Sequence, residues 1–453
     1  MGSHQHIHFI AIGGAAMHNL ALELHQLGNK VTGSDDEIKD PSRTRLAQAG
    51  LLPETEGWFP EKLEARPDAV ILGMHARIDN PELVRAKELG LKIYSFPEYF
   101  YEHARHKRRL VIGGSHGKTS ITAMIMHVLK SAGVDFDYMV GSTVRGFDTM
   151  VRLSDTAEYM ILEGDEYLAS PIDRRPKFHL YKPHAAVVSG IAWDHINVFP
   201  TFENYVEQFR IFAEMIPSGG SFYYFEEDPE LRNIAGALSK EVKTVPYRQL
   251  DSEIRDGNTI VKFNGREYPV QVFGAHNLAN LRAAMHICKE AGVGEEDFLK
   301  HVASFTGAAR RLELVRKEKD LIIYRDFAHS PSKLKATIDA VRNQYPDWHL
   351  VACMELHTFS SLNDNFLDQY AGTMDAADVP VVFFNPDTLK HKKLPSLSEA
   401  RVQQAFATSE ITVITDPLQL QEHLNNSLKK GSVLLLMSSG TFEGLDLSSL
   451  GAR

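Results

Sequence analysis

Short apolar runs alternate with stretches of helical periodicity through the first hundred residues, and this alternation predicts a parallel, doubly wound α/β sheet. The runs fall at 6–12, 30–33, 69–73 and 92–95, with a helical pattern at 19–27 between the first two. A polar, basic segment at 102–109 breaks the series and a new apolar run, 110–112, follows at once, so a first domain is expected to span 1–106. Further runs lie at 159–162 and 185–189, each ending in polar residues. Between 221 and 273 the pattern turns to short strands with turn signals at Asp256-Gly257-Asn258 and Asn264-Gly265, which predicts a hairpin-rich insertion. Helical periodicity returns over 277–291. Runs at 321–324, 349–354, 379–384, 411–414 and 432–437 then alternate with helical stretches, as in another small α/β domain. The expected division is 1–106, 107–309 and 310–453.

Composition narrows the classes. A chain of 453 residues exceeds one ordinary core, and 43% hydrophobic with 24% charged residues fits a folded protein with several cores. The net charge of −10 argues against a nucleic-acid binder, which needs an excess of Lys and Arg to displace counterions. Cys288 and Cys353 lack metal-ligand spacing and read as buried free thiols. No apolar run approaches the roughly 20 residues that span a bilayer, and no leader pattern opens the chain. A cytoplasmic monomer or homodimer without membrane insertion is expected.

The stretch Gly113-Gly114-Ser115-His116-Gly117-Lys118-Thr119-Ser120 follows an apolar run and opens a helical pattern. Backbone N–H groups at such a helix start converge on an anion. Glycine admits phosphate oxygens close to the backbone, the Lys118 ammonium neutralises their charge, and the Thr119 hydroxyl can ligate magnesium. The spacing is one residue shorter than the common phosphate-binding loop. A second glycine turn, Ile12-Gly13-Gly14-Ala15-Ala16-Met17, with Ser34-Asp35-Asp36 about 20 residues on, suits a ribose held by an acid. Alone it leaves open a dinucleotide-dependent dehydrogenase or a turn without a ligand.

In combination, Gly113 to Ser120, Glu163-Gly164-Asp165-Glu166, Trp193-Asp194-His195, His276-Asn277-Leu278-Ala279-Asn280, Arg310-Arg311-Leu312-Glu313 and Asp326-Phe327-Ala328-His329-Ser330-Pro331 stand in the order seen in the Mur ligases. The chain resembles that family over nearly its whole length, and the shortened loop is the family's own form. The resemblance implies three domains: a Rossmann-like one for the UDP-sugar, a central P-loop ATPase-like one, and a Rossmann-like one that brings the amine and closes. It implies that Gly13, Gly14, Met17, Ser34 and Asp35 serve the UDP-sugar. It implies that ATP meets Gly114, Ser115, His116, Gly117, Lys118, Thr119, Ser120, Asn277, Asn280, Arg311, Asp326 and His329. Magnesium would be held by Thr119, Glu163 and His195, and Lys118, Glu163, His195 and Arg311 would carry the chemistry.

Several members carry a carbamylated lysine where this chain has Arg210, a guanidinium that cannot take that part. The absence points to the branch acting directly on UDP-N-acetylmuramate, whose incoming amine is either L-alanine or the recycled tripeptide L-alanyl-γ-D-glutamyl-meso-diaminopimelate. Three stretches resemble the tripeptide form: Asp326-Phe327-Ala328-His329, Asp165-Glu166-Tyr167 with 173–178, and Met437-Ser438-Ser439-Gly440-Thr441-Phe442-Glu443-Gly444. Ile12-Gly13-Gly14 is closer to the alanine form, and 355–364 matches neither. The tripeptide is the expected acceptor and L-alanine the alternative, in an ATP-dependent, ADP-forming amide synthesis through an acyl phosphate.

Overall fold

The computed structural model describes residues 4–195, 198–255, 257–407, 410–447 and 449–451. It divides into two compact units, Met1–Arg248 with Ala283–Phe298, and Gln249–Arg282 with Leu299–Arg453.

The first unit holds two sheets. Strands β1 (His6–Ile10), β2 (Lys30–Ser34), β3 (Ala69–Leu72) and β4 (Ile93–Ser95) form a parallel sheet in the order β2-β1-β3-β4. The strand order reverses between β1 and β3, and the crevice outside their carboxyl ends is where such a sheet receives a ligand. The turn after β1 and Asp35 after β2 both lie there.

The second sheet contains β5 (Arg108–Gly113), β6 (Phe136–Met139), β7 (Val151–Arg152), β8 (Tyr159–Glu163), β9 (Ala185–Val188), β10 (Ser221–Phe225) and β11 (Lys243–Tyr247). Their order is β11-β10-β9-β5-β8-β6-β7, and all pair in parallel except β7. The hairpin-rich reading of 221–273 therefore holds only in part: β10 and β11 extend the parallel sheet. Parallel neighbours need a crossover, and helix Pro229–Ala237 supplies it, with Asp228 capping Glu230 N and Leu231 N and Pro229 in the first turn.

The basic segment that leads into β5 buries two of its cations, Lys107 and Arg109. Arg109 donates to the carbonyls of Ala104, Lys107, Tyr181 and Lys182, and Lys107 Nζ lies 2.6 Å from the buried Asp137 carboxylate. The first sheet is tied to the second along helix Ala15–Gln26, where Asn19 Oδ1 accepts from Met150 N at 3.2 Å and Glu23 Oε1 from Leu153 N at 2.7 Å.

The second unit carries an antiparallel meander, β12 (Ser252–Arg255), β13 (Asn258–Phe263) and β14 (Arg266–Val270). The turn at Asn264-Gly265 joins β13 to β14, while Asp256 in the other predicted turn lies outside the described residues. A six-stranded sheet follows, from β15 (Glu313–Lys317), β16 (Leu321–Asp326), β17 (His349–Glu355), β18 (Val379–Phe383), β19 (Thr412–Ile414) and β20 (Ser432–Met437). Its order is β15-β16-β20-β17-β18-β19, parallel except for the edge strand β15. Cys288 and Cys353 are buried and unbridged. Among the described residues no helix is long and apolar enough to cross a membrane.

Candidate active site

Strand β5 ends at Gly113 and helix Lys118–Ser131 begins four residues beyond the loop's second glycine. Gly114 has φ +127°, and a Cβ there would stand 2.2 Å from Ser189 Oγ and 2.9 Å from Ser189 N. Gly117 caps the helix with φ 78°. Both positions require glycine. The loop is laced to the end of β9: Ser115 N donates to Gly190 O at 3.0 Å, and Ser189 Oγ donates to His116 O. A helix start so held presents its N–H groups to an anion without further ordering.

Lys118 turns back into this frame. Its ammonium donates to Gly114 O at 2.7 Å and to Glu166 Oε2 at 2.6 Å. Glu166 is buried and its other oxygen accepts from Tyr205 OH at 3.0 Å, with His195 Nε2 at 3.6 Å. Burial pushes the Glu166 carboxyl up, yet the Lys118 ammonium and the His195 imidazole more than offset it and hold it well below the usual carboxylate range. Burial likewise lowers His195, but its bond to Glu166 and the charges of Asp194 and Asp165 leave it raised. Ligating atoms of Asp165, Glu166 and His195 lie within 4.8 Å of one another, a set able to take a divalent cation.

Glu163 occupies the neighbouring position. At the end of β8 it accepts from Thr119 Oγ1 at 2.9 Å and from Gly141 N at 2.8 Å. The sequence grouped Thr119, Glu163 and His195; the fold brings Thr119 to Glu163, and sets His195 beside Asp165 and Glu166. Ser120 is buried in the first turn of the helix. Glu166 and Asp165 stood in a quoted motif without a role, and Tyr205 gave no signal because its spacing with Phe209 and Phe212 is that of a packed helix face. Arg210, on the same helix, pairs with Glu207 and Glu214 at the surface.

In the first sheet, Gly13 N donates to Asp35 Oδ2 at 2.7 Å, and a Cβ on Gly13 would meet that oxygen at 2.9 Å. Burial, opposed by the Gly13 N–H, pushes the Asp35 carboxyl up to about 6. Gly14 O accepts from the His18 ring at 2.9 Å, Met17 is buried, and the Ser34 hydroxyl receives Lys62 Nζ at 2.9 Å.

The second unit holds the remaining residues. Asn277 Nδ2 donates to Phe273 O at 3.0 Å, and Asn280 lies 3.4 Å from Asn277 Oδ1. Asp326 accepts from Leu312 N at 2.6 Å and Ala328 N at 2.7 Å, the Arg311 guanidinium lies over the Phe327 ring at 4.5 Å, and the His329 ring meets Phe327 O at 2.9 Å. A cavity of about 210 Å³ is lined by Arg310, Arg325, Ser438, Gly440, Thr441 and leucines of the C-terminal segment. Glu313 binds Arg325 at 2.8 Å, and the Nε–H groups of Arg310 and Arg325 have no hydrogen-bond partner among the described residues.

The chain matches the Mur ligase family, catalytic domain, over residues 6–108, the Mur ligase middle domain over 112–288, and the Mur ligase glutamate ligase domain over 310–440. It is similar, at 28% identity over 97% of both chains, to the UDP-N-acetylmuramate--L-alanyl-γ-D-glutamyl-meso-2,6-diaminoheptandioate ligase of Haemophilus influenzae. It is also similar to the UDP-N-acetylmuramate--L-alanine ligase of Streptococcus pneumoniae, at 32% identity over 82% of this chain and 81% of that one. The crystal structure of a murein peptide ligase from Psychrobacter arcticus superposes with a TM-score of 0.66, at 25% identity and 99% coverage of each chain. The chain thus belongs to the Mur ligase family of ATP-dependent, ADP-forming amide ligases.

Proposed function

We propose that the chain joins L-alanyl-γ-D-glutamyl-meso-diaminopimelate to the muramoyl carboxylate of UDP-N-acetylmuramate. The observation that carries the activating half of this reading is the Lys118 ammonium, set between the loop carbonyl of Gly114 and the buried Glu166 carboxylate. The muramoyl carboxylate attacks the γ-phosphate of ATP while Lys118 and Arg311 spread the developing charge, giving an acyl phosphate and ADP. The peptide amine then attacks the acyl carbon and expels phosphate. Asn277 and Asn280 serve the adenine, and Asp326 and His329 approach the nucleotide. The residues present also suit magnesium: Thr119, Glu163 and His195 would hold it, with Asp165 and Glu166 beside His195, and it would supply charge neutralisation at the phosphates. Gly13, Gly14, Met17, Ser34 and Asp35 bind the UDP-sugar in domain 1–106, with ATP in 107–309 and the acceptor in 310–453.

The tripeptide is supported by the stretches 326–329, 165–178 and 437–444, and by the Haemophilus influenzae and Psychrobacter arcticus relatives. The arginine-lined cavity adds to it: two guanidiniums suit an acceptor rich in carboxylates. L-alanine is the second reading, favoured by the turn at 12–14 and the Streptococcus pneumoniae relative. Both amines offered in parallel with ATP and UDP-N-acetylmuramate, with products identified by mass, should give the tripeptide adduct. A product from L-alanine alone would overturn the assignment.

A further inference from the structure

Tyr205 is fully buried on helix Phe202–Glu214. Its ring packs against Phe199 and Phe209 with centroids at 5.4 and 5.2 Å, and phenylalanine would serve that packing equally well. The hydroxyl is the additional feature. It donates to Glu166 Oε1 at 3.0 Å. A phenol has one proton, so the Ser115 hydroxyl, also at 3.0 Å, donates to the Tyr205 oxygen, a shorter contact than its 3.4 Å alternative to Gly190 O. Ser115 Oγ in turn accepts from Ala192 N at 2.8 Å.

A directed chain therefore runs from the Ala192 N–H through the Ser115 and Tyr205 hydroxyls to one oxygen of Glu166, and the Lys118 ammonium binds the other oxygen. Such chains polarise along their length and stiffen when buried. Ser115 belongs to the loop whose backbone receives the anion, and Lys118 is the cation that meets the same anion. Glu166 competes with that anion for the ammonium. A phenol that donates to Glu166 draws charge from the carboxylate, weakens its hold on Lys118, and fixes where the ammonium waits relative to the loop.

We propose that Tyr205 is a positioning residue for the nucleoside triphosphate: its hydroxyl couples the phosphate loop, through Ser115, to the carboxylate that holds Lys118. This rests on reading residues 113–120 as the triphosphate site. The full chain, its Tyr205→Phe and Ser115→Ala variants and the double variant are compared by calorimetry with ATP, by steady-state kinetics and by thermal unfolding. Tyr205→Phe should weaken ATP binding and raise the KM for ATP about tenfold, the loss of one hydrogen bond to a charged group, while kcat changes by less than about threefold. Adding Ser115→Ala should cost less than about twofold more, because the chain is already cut. ATP affinity equal to wild type in Tyr205→Phe would overturn the proposal. So would losses that multiply independently in the double variant, or a loss of ATP affinity matched by a fall in melting temperature, which marks packing alone. A wild-type chain that binds no ATP would overturn the triphosphate reading itself.

Discussion

Lys118 donates to Gly114 O and to Glu166, at 2.7 and 2.6 Å, so in the proposed function a triphosphate at the loop would compete with a carboxylate for one ammonium. Replacing it with alanine removes the charge that meets the phosphates and leaves Glu166 buried without its main counter-charge. Lys118→Ala should lower kcat/KM by about a thousandfold, the scale of one lost charge-stabilising donor. Affinity for UDP-N-acetylmuramate should stay within about twofold of wild type, since Gly13 and Asp35 stand at the end of a different sheet. Calorimetry that finds both ligands lost together would contradict this. Asp35 gives a pH signature. Its pKa is raised to about 6, so the folded chain holds this proton more tightly than the unfolded one. The stabilisation it contributes is complete below about pH 4 and is lost as pH rises through about 6. A ribose hydroxyl donates best to the ionised form, so affinity for the sugar nucleotide should rise across the same window, and Asp35→Asn should flatten the curve.

At the scale of elements, the buried Asp137 on β6 joins three of them. It accepts from Lys107 at 2.6 Å before β5 and from Ser154 N and Oγ at 3.0 and 2.7 Å after β7, and meets His103 at 3.4 Å at the end of helix Phe96–His103. Burial raises its carboxyl, but the bonds from His103, Lys107 and Ser154 more than offset this and hold it below the usual range. Its contribution to stability is therefore present above about pH 4 and fades as acid protonates it. Asp137→Asn leaves Lys107 buried beside a neutral amide and should cost about 3–5 kcal/mol in urea unfolding, the range for breaking a buried pair. Most strands were legible because β-branched and aliphatic runs sit between turn residues, as in β1, β5, β16 and β20. β10 and β11 were read as hairpins because Ser221–Phe225 is a short aromatic run and the crossover between them is a helix of only 9 residues. The loop 113–120 was legible because its chemistry is contiguous. The pairing of Glu166 with Lys118 and Tyr205 was not, because it joins residues 48 and 39 positions apart.

Over the whole molecule, the three largest sheets are parallel almost throughout, and open parallel sheets receive ligands at the carboxyl ends of their strands. In the proposed function, three such ends would serve three reactants. Phosphate release should therefore require ATP, UDP-N-acetylmuramate and the peptide amine together, and a coupled phosphate assay omitting each in turn checks it. Chelation of divalent ions should abolish turnover and added magnesium should restore it. Arg210 pairs at the surface with Glu207 and Glu214, and a guanidinium is not carbamylated as a lysine amine is, so purging carbon dioxide from the assay should leave the rate unchanged. One consequence concerns heredity. If Gly114 mutates to alanine, the new methyl meets Ser189 twice, at a hydroxyl and at a backbone nitrogen, in a left-handed backbone. Losing the Ser189 side chain would clear only the first obstacle. A selection for revertants of Gly114→Ala should return glycine at 114 itself and no second-site suppressor at 189.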